Sequence, residues 1–267
     1  MSAETITSRK NPLLQKARAV RDGRDKELVF VEGVRLCEEA ARAGLKIETV
    51  LCVENLRDEE RGGRLLELLE KTGGRIVFVH ESILESVADT TTPQGVIALA
   101  RRPRTGREAI EGEGVAQLVV IMHRAGNPSN AGAMLRVAEA AGATAAIATE
   151  GSVDLFSPKA LRGAMGSAFR LPVWTGATLD EALRWCRGRG IRIVSAEVRA
   201  TSLHTGIDWK RPRAILVGPE AGGLTADEAR AADDHVRIPM REPVESLNVA
   251  VALGVILYEA ARQRGGF

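Results

Sequence analysis

Asparagine, arginine, glutamate and serine side chains occur beside glycine- or proline-containing turns at three places in the second half of the chain. These places are Asn130-x-Gly132-x-x-x-Arg136, the turn 218–223 around Glu220, and the segment 238–248. Gly132 lets another backbone segment approach closely. A strand that ends in a glycine-rich turn offers free backbone N–H groups to a ligand. Together the three segments predict a ligand-binding site.

Each segment also has a simpler interpretation when it is taken alone. Asn130 is well placed to cap a helix, and Arg136 is then an ordinary surface side chain. Residues 218–223 can be a tight turn, since they match neither the dinucleotide fingerprint nor the phosphate loop. Residues 238–240 and 246–248 can be a strand end and a helix cap. The three segments in this order are more specific than any one of them.

The C-terminal segment 246–258 is apolar on nearly every face. Such a helix must be buried all round, by its own domain and by a second subunit. Because Ser246 and Asn248 are polar and lie at its start, we expect this helix to open on a polar pocket. Thr225 and Glu228 have the spacing of a capping box, which predicts a short helix before it.

The 267 residues suggest one large domain or two ordinary ones, and the net charge of +2 neither implies nor excludes a polyanionic partner. Basic residues nevertheless cluster near the N-terminus and again after residue 100. Solvated surface and nucleic-acid contact are both open interpretations of these clusters. The two clusters are Arg9, Lys10, Lys16, Arg18, Arg21 and Arg24, and Arg101, Arg102, Arg104 and Arg107.

Cys37, Cys52 and Cys186 lack C-x-x-C spacing, so they predict reduced core thiols rather than a disulfide framework. The four histidines are scattered through the chain, and no metal site is expected. No apolar run approaches the ~18 residues of a membrane span, and the polar N-terminus is no signal peptide. These features favour a soluble, cytoplasmic protein.

Apolar runs alternate with segments of helical spacing in both halves, which predicts an α/β fold. We expect residues 1–100 to form a small α/β domain and residues 115–267 a second one. Residues 101–114 have Pro103, three glycines and many charges but no apolar period, so they predict a linker. Predicted helices in the second half include 130–141, a helix from Ser157-Pro158 through Ala168, and 179–187.

The three segments together resemble the SpoU (TrmH-type) branch of the SPOUT RNA methyltransferases. The resemblance covers the second half, and it includes Gly151-Ser152-Val153-Asp154-Leu155 and Arg170-Leu171-Pro172-Val173. Residues 1–100 are similar, more loosely, to the ribosomal-protein-like substrate domain of that family. The similar residues there are Phe30-Val31-Glu32-Gly33 and Thr91-Thr92-Pro93-Gln94-Gly95.

The resemblance implies a methyl transfer from S-adenosylmethionine (AdoMet) to an RNA ribose 2′-hydroxyl, with ribosomal RNA expected and transfer RNA open. It also implies a C-terminal domain tied into a deep trefoil knot, and a homodimer whose site lies near the subunit interface. No metal is implied. The implied cofactor contacts are Gly218, Ile238, Met240 and Leu247. The implied catalytic positions are Arg136, Asn130, Glu220, Ser246 and Asn248.

In the resemblance, Arg136 is the catalytic arginine, as a base or as a clamp. Deprotonation of an arginine is costly because its pKa is above about 12, so we favour a clamp on phosphate or ribose that stabilises the developing alkoxide. Glu220 and Asn248 are expected to orient Arg136 and the ribose, and Ser246 to complete the pocket by hydrogen bonding.

The chain departs from the family pattern in two loops. Many members have an acidic residue and Pro-Gly before the first motif, where this chain has Asn127-Pro128-Ser129. Residues 241–243 (Arg-Glu-Pro) replace a more usual glycine-containing stretch. We expect the first change to affect the shape of the substrate that fits, and the second to stiffen the cofactor loop.

Two other classes of protein compete with the methyltransferase interpretation. The first is a non-catalytic RNA-binding protein that kept the fold, which the intact Arg136, Glu220 and Asn248 disfavour. The second is a small-molecule α/β enzyme with a nucleotide cofactor, which the missing fingerprints and the basic N-terminus disfavour. Failure to bind the cofactor would support the first, and activity without RNA would support the second.

Overall fold

The apolar runs of the sequence form the strands of two sheets in the computed structural model, which describes residues 5–6, 8–111 and 118–265. Residues 1–4, 7, 115–117 and 266–267 of the predicted domains, and 112–114 of the predicted linker, lie outside the described residues. The strands are β1 (Thr5–Ile6), β2 (Leu28–Glu32), β3 (Ile47–Cys52), β4 (Arg75–Val79), β5 (Val96–Arg101), β6 (Leu118–Met122), β7 (Ala145–Thr149), β8 (Val173–Ala177), β9 (Arg192–Ala196), β10 (Ser202–Leu203), β11 (Arg213–Val217) and β12 (Asp234–Arg237).

Helices alternate with these strands in both halves, as the sequence predicts. Short 3₁₀ turns occur at Glu54–Arg57, Arg107–Ile110 and His204–Gly206. The α-helices are α1 (Pro12–Arg21), α2 (Val34–Arg42), α3 (Glu60–Lys71), α4 (Glu81–Glu85), α5 (Pro128–Ala140), α6 (Pro158–Ala164), α7 (Ser167–Arg170), α8 (Leu179–Gly188), α9 (Ala226–Arg230) and α10 (Val249–Gln263). No helix in the described part of the chain is long and apolar enough to cross a membrane.

The first of two compact units comprises the described residues up to Pro103 together with Phe156–Arg170. Its five-stranded sheet has the order β1-β4-β3-β5-β2, with β5 antiparallel to both of its neighbours. Buried Glu32, at the end of β2, accepts hydrogen bonds from the backbone of Asp89 and Thr90. This carboxylate therefore fixes the start of the loop that precedes β5.

The second unit comprises Arg104–Leu155 and the described residues from Leu171 onward. Its seven strands have the order β10-β12-β9-β11-β6-β7-β8, and every recorded pair is parallel. Every residue of β6, β7 and β11 is buried, which explains why these strands are continuous apolar runs in the sequence. Because the strands are parallel, the loops that follow β6, β9, β11 and β12 meet at one edge of the sheet.

Two helix predictions in the second half need correction. Asn130 does not cap α5; Asn127 does, by accepting from the backbone N–H groups of Ser129 and Asn130, with Pro128 at the first helical position. The helix predicted through Ala168 is broken into α6 and α7 because Met165 has a left-handed backbone (φ 46°) and Gly166 follows with φ 95°.

The C-terminal helix α10 is not buried all round within the chain. Its face of Leu253, Ile256 and Leu257 is buried, and the helix packs against α5. The opposite stripe of Val251, Val255 and Tyr258 is 54%, 38% and 45% exposed. The apolar character predicted from the sequence is therefore present, but half of it faces outward.

The three cysteines are buried and free, which confirms the prediction of core thiols. Burial raises the pKa of Cys52 and of Cys186 to about 12, so both stay protonated. Much of the N-terminal basic cluster is engaged within its own unit. Arg18 and Arg21 donate to the backbone carbonyls of residues 86–88, and Lys16 pairs with Glu48. These contacts favour a structural role for that part of the cluster.

Candidate functional site

A cavity of about 1000 Å³ lies in the second unit, where the loops after β9, β11 and β12 meet. All of the predicted site residues except Arg136 line it. The cofactor positions among them are Gly218, Ile238, Met240 and Leu247, and the catalytic positions are Asn130, Glu220, Ser246 and Asn248. Segments more than a hundred residues apart in the sequence therefore contribute to one site.

Gly218 has no space for a side chain. A Cβ atom at this position would lie 2.7 Å from the backbone nitrogen of Leu224 and 2.8 Å from the carbonyl carbon of Gly223. Gly223 has a left-handed φ of 67° and donates its N–H to the carbonyl of Pro219. The turn after β11 thus folds back on itself so tightly that backbone, not side chain, forms this part of the cavity wall.

A chain of side-chain hydrogen bonds joins the three motifs. The Oδ1 atom of Asn248 accepts from the N–H groups of Ala250 and Val251 and so caps α10. Its Nδ2 atom must therefore donate, and it does so to Asn130 Oδ1 at 3.1 Å. Asn130 Nδ2 in turn donates to Glu220 Oε1 at 3.2 Å. We call this series of contacts from Asn248 through Asn130 to Glu220 the amide relay.

Glu220 completes the relay as an ionised carboxylate. Its second oxygen accepts from the backbone N–H of Gly126 at 3.2 Å. Partial burial on its own raises the pKa of this carboxyl, but hydrogen bonds from backbone N–H groups and from Asn130 hold the pKa below its ordinary value. With both oxygens engaged, Glu220 anchors the loop before α5 to the turn after β11.

The structure does not place Arg136 in this relay. Its side chain is exposed, and within the described residues no hydrogen bond or ion pair of the chain involves it. The reason is geometric, because Arg136 is six residues beyond Asn130 on α5 and so lies on a different face of the helix. The expected orientation of Arg136 by Glu220 and Asn248 is therefore not found in the single chain.

A second polar network, absent from the sequence predictions, holds α9 in place. Buried His123 bonds through Nδ1 to Thr149 Oγ1 at 2.9 Å and through Nε2 to Glu228 at 3.0 Å. Arg124, with a left-handed φ of 49°, donates to the same carboxylate oxygen at 2.6 Å. The capping box of Thr225 and Glu228, predicted from spacing, is confirmed. Glu228 therefore links α9 to the loop that leads into α5.

Sequence reasoning also missed one wall of the cavity. Ala196, the last residue of β9, lines it together with Glu197, Val198 and Arg199, which follow directly. The available signal was positional, because ligands in parallel α/β sheets bind beyond the carboxyl ends of the strands. No group of three or more His, Cys, Asp or Glu side chains in the described ranges is placed to hold a metal ion.

Two family models match the chain. The model of the SpoU rRNA methylase family matches residues 117–258, and the model of the RNA 2′-O ribose methyltransferase substrate-binding domain matches residues 30–106. A tRNA/rRNA methyltransferase of Synechocystis sp., described as uncharacterized, is 31% identical over 97% of this chain and 94% of its own length. A 23S rRNA (guanosine-2′-O-)-methyltransferase of Bordetella pertussis is 34% identical over 80% of this chain and 89% of its own length.

Solved structures with the same fold span nearly the whole chain. An AdoMet-bound rRNA methyltransferase from Sinorhizobium meliloti has a TM-score of 0.83 and 29% identity, covering 97% of this chain and 98% of that one. The SpoU methyltransferase AviRb from Streptomyces viridochromogenes, in complex with AdoMet, has a TM-score of 0.85 and 28% identity. It covers 96% of this chain and 98% of its own.

The amide relay predicts a graded response at Asn248. Asn248→Ala removes both the cap of α10 and the bond to Asn130, and should lower the free energy of unfolding by about 1–2 kcal/mol. Asn248→Ser keeps a capping oxygen but has no amide N–H for Asn130, so its loss should be smaller. Urea denaturation of the three proteins measures the order. An alanine variant as stable as the wild type would show that the Asn248 contacts do not stabilise the fold.

Glu228 predicts a loss of stability in acid. Partial burial raises its pKa, but hydrogen bonds from the Thr225 N–H, His123 and the Thr225 hydroxyl lower it from 4.5 to about 2. The contribution of ionised Glu228 to the free energy of unfolding is therefore complete above pH 4.5 and disappears as the pH falls toward 2. Denaturant titrations should show Glu228→Gln less stable than wild type at pH 7, with a difference that shrinks below pH 4.5. The exposed control Glu245→Gln should show no such convergence, and a difference constant with pH would contradict this role.

Proposed function

The chain belongs to the SpoU rRNA methylase family, and from this membership we propose that it transfers a methyl group from AdoMet to a ribose 2′-hydroxyl of ribosomal RNA. The observation that carries the proposal is that one cavity gathers eight of the nine predicted site positions, and that the residues of the amide relay line it. The B. pertussis relative, a 23S rRNA (guanosine-2′-O-)-methyltransferase, supports ribosomal RNA as the substrate class.

The cavity fits AdoMet in size and chemistry. About 1000 Å³ is within the range of small-ligand sites. Val217, Leu224, Ile238 and Ile256 supply apolar walls for an adenine ring, while the Gly218 turn exposes backbone rather than side chain. We assign Gly218, Ile238, Met240 and Leu247 to cofactor binding. When bound, AdoMet supplies an electrophilic methyl group on its sulfonium.

The protein positions the ribose oxygen. A 2′-hydroxyl is a poor nucleophile, so most of the rate must come from orientation and from charge placed near the developing alkoxide. The Nδ2 atoms of Asn130 and Asn248 each use one N–H in the relay, and each retains a second. We assign these free N–H groups, with the Ser246 hydroxyl, to holding the ribose. Ionised Glu220 cannot donate, so it fixes the orientation of the Asn130 amide, while capping of α10 fixes that of Asn248.

Arg136 has a different place in this scheme. Its exposure and lack of a partner within the described chain leave the guanidinium available to RNA, which carries a phosphate beside each ribose. A guanidinium binds phosphate in a bidentate manner and stays charged, so we assign Arg136 to clamping RNA and stabilising the alkoxide, not to removing the proton.

The exposed stripe of α10 supports a homodimer. Val251, Val255 and Tyr258 are spaced so that they share one face, and exposed Leu247 precedes them. We propose that a second copy covers this stripe, which would also bring the site and Arg136 near the subunit interface, since α5 packs on α10. A monomeric mass by sedimentation equilibrium at micromolar concentration would contradict the dimer.

Three further assignments come with family membership. We assign RNA contact outside the site to the N-terminal domain, residues 1–100, joined by the linker 101–114 to the methyltransferase domain 115–267. We place the protein in the cytoplasm, where its RNA substrate is. We also propose the trefoil knot, supported by the position of β12 between β10 and β9. An experimental structure whose backbone contains no knot when the two termini are extended outward would contradict this proposal.

The experiment that tests the reaction is transfer of radiolabelled methyl from AdoMet to total RNA that lacks its own modifications, followed by mapping of the labelled ribose. Label on one 2′-oxygen of ribosomal RNA is the expected result. Label on transfer RNA would show that the substrate is not ribosomal RNA. Label on a base would show that the enzyme does not methylate the ribose. Binding of AdoMet without label would indicate a wrong or unassembled RNA substrate. Absence of both label and AdoMet binding would favour a non-catalytic RNA-binding protein.

Arg136→Ala should lower kcat by about a hundredfold or more, because a charge directed at the alkoxide is removed. AdoMet affinity and melting temperature should stay at wild-type values, since the exposed side chain has no partner in the described chain. Arg136→Lys keeps the charge without the planar guanidinium, so its kcat should lie between those of the wild type and the alanine variant. Single-turnover kinetics and calorimetry measure both quantities, and normal turnover by the alanine variant would remove Arg136 from the reaction.

Gly218→Val should weaken AdoMet binding by at least about tenfold, because the new side chain overlaps the backbone of the turn that forms the cavity wall. Gly188→Ala is a matched control, since a Cβ atom there meets open space. Isothermal titration of both variants gives the affinities. If the valine variant binds AdoMet as tightly as the control, Gly218 does not belong to the cofactor site.

A further inference from the structure

A second carboxylate, Glu197, lines the cavity in addition to Glu220. It follows directly after β9, which lies between β11 and β12 in the sheet. Glu197 is therefore placed between the turn at Gly218 and the segment at Ile238. None of the three sequence motifs includes it, and the proposed reaction does not use it.

Protein contacts fix one oxygen of Glu197 and leave the other available. The hydroxyl of fully buried Ser195 donates to Oε1, and His235 Nδ1 lies 2.9 Å from the same atom. Because a carboxylate only accepts, His235 is the donor in that contact. For Oε2, no donor is found within the described residues. The Glu197 side chain is 31% accessible, so a ligand can reach it. Glu220 differs in this respect, since both of its oxygens are engaged.

An anchored carboxylate with one available oxygen is suited to accept hydrogen bonds from a ligand. Building on the proposed function, we propose that Glu197 Oε2 accepts from the vicinal 2′- and 3′-hydroxyls of the adenosine ribose of bound AdoMet. The ribose is the matching group because Glu197 lies between the Gly218 turn and Ile238, and Ile238 belongs to the apolar wall proposed above for the adenine ring. Carboxylates at strand ends bind ribose hydroxyls in the same way in dinucleotide-binding folds.

The charged donor group of AdoMet, its α-ammonium, fits this wall less well. Arg199 lines the cavity two residues beyond Glu197, and its guanidinium adds a positive charge there. Like charges at close range repel, so an ammonium group would meet both attraction and repulsion, whereas neutral hydroxyls would not. The wall after β9 is thus assigned to the ribose and not to the amino-acid end.

Ligands that lack one end of the cofactor test this assignment. Isothermal titration of the full chain with AdoMet and with 5′-deoxy-5′-methylthioadenosine, which has the ribose but no amino acid, compares wild type with Glu197→Gln. We expect the variant to bind both ligands about tenfold more weakly, as for loss of charge-assisted hydrogen bonds. The 3′-deoxy form of methylthioadenosine should bind wild type about tenfold more weakly than its parent, but should show no further loss in the variant.

Exposed Glu245→Gln on the neighbouring loop is the matched control and should bind every ligand as wild type does. Loss of AdoMet binding without loss of methylthioadenosine binding would assign Glu197 to the ammonium and overturn the proposal, as would unchanged affinities for both. If circular dichroism shows that Glu197→Gln is unfolded, the wild-type series decides: equal affinity for the 3′-deoxy form and its parent overturns the proposal. If wild type does not bind AdoMet at all, the proposed function itself fails.

Discussion

The hydrogen bond from Asn248 to Asn130 is the contact on which the rest of the site depends. It joins residues 118 positions apart in the sequence, and Asn130 passes the connection to Glu220 across a further 90 positions. It fastens the start of α10 to the start of α5, which Glu220 in turn fastens to the turn after β11. The Asn248 oxygen that caps α10 also fixes which atom of each amide donates, so capping and site geometry are one arrangement.

A parallel sheet explains why these contacts occur where they do. Loops that follow β6, β9, β11 and β12 leave the sheet at the same edge, so polar groups in four separate segments come together there. Two ionised carboxylates then fasten the loops: Glu220 holds the segment before α5 to the Gly218 turn, and Glu228 holds the same segment to α9. Both have lowered pKa values because donors surround them, so they remain anions at neutral pH.

Apolar runs predicted the buried strands well because both faces of these strands are covered. The five-residue strand β6, for example, coincides with the apolar run Leu-Val-Val-Ile-Met. The strand β8 has no such signal, since Val-Trp-Thr-Gly-Ala has neither an apolar run nor a clean alternation. The break between α6 and α7 depends on a left-handed Met165, a conformation that no local pattern announces. The cap at Asn127 was within reach, because proline at the next position favours a helix that begins there.

For the site, the sequence predicted which residues meet but not how they are paired. Eight of the nine predicted positions line one cavity, whereas Arg136 lies on another face of α5. Helix spacing accounts for this position of Arg136, since six residues do not return to the same side of a helix. The pairing of His123 with Glu228 across 105 positions could not have been read from spacing, because only the sheet brings these residues together.

We propose that the cavity bounded by the Gly218 turn and by Ile238 and Leu247 holds the cofactor beside the amide relay. The most direct measurement is a crystal structure of the full chain with S-adenosylhomocysteine. We predict adenosine in van der Waals contact with Gly218, Ile238 and Leu247, and the sulfur atom directed toward Asn130 and Asn248. Cofactor bound elsewhere on the chain, or in this cavity with the relay broken, would contradict this assignment.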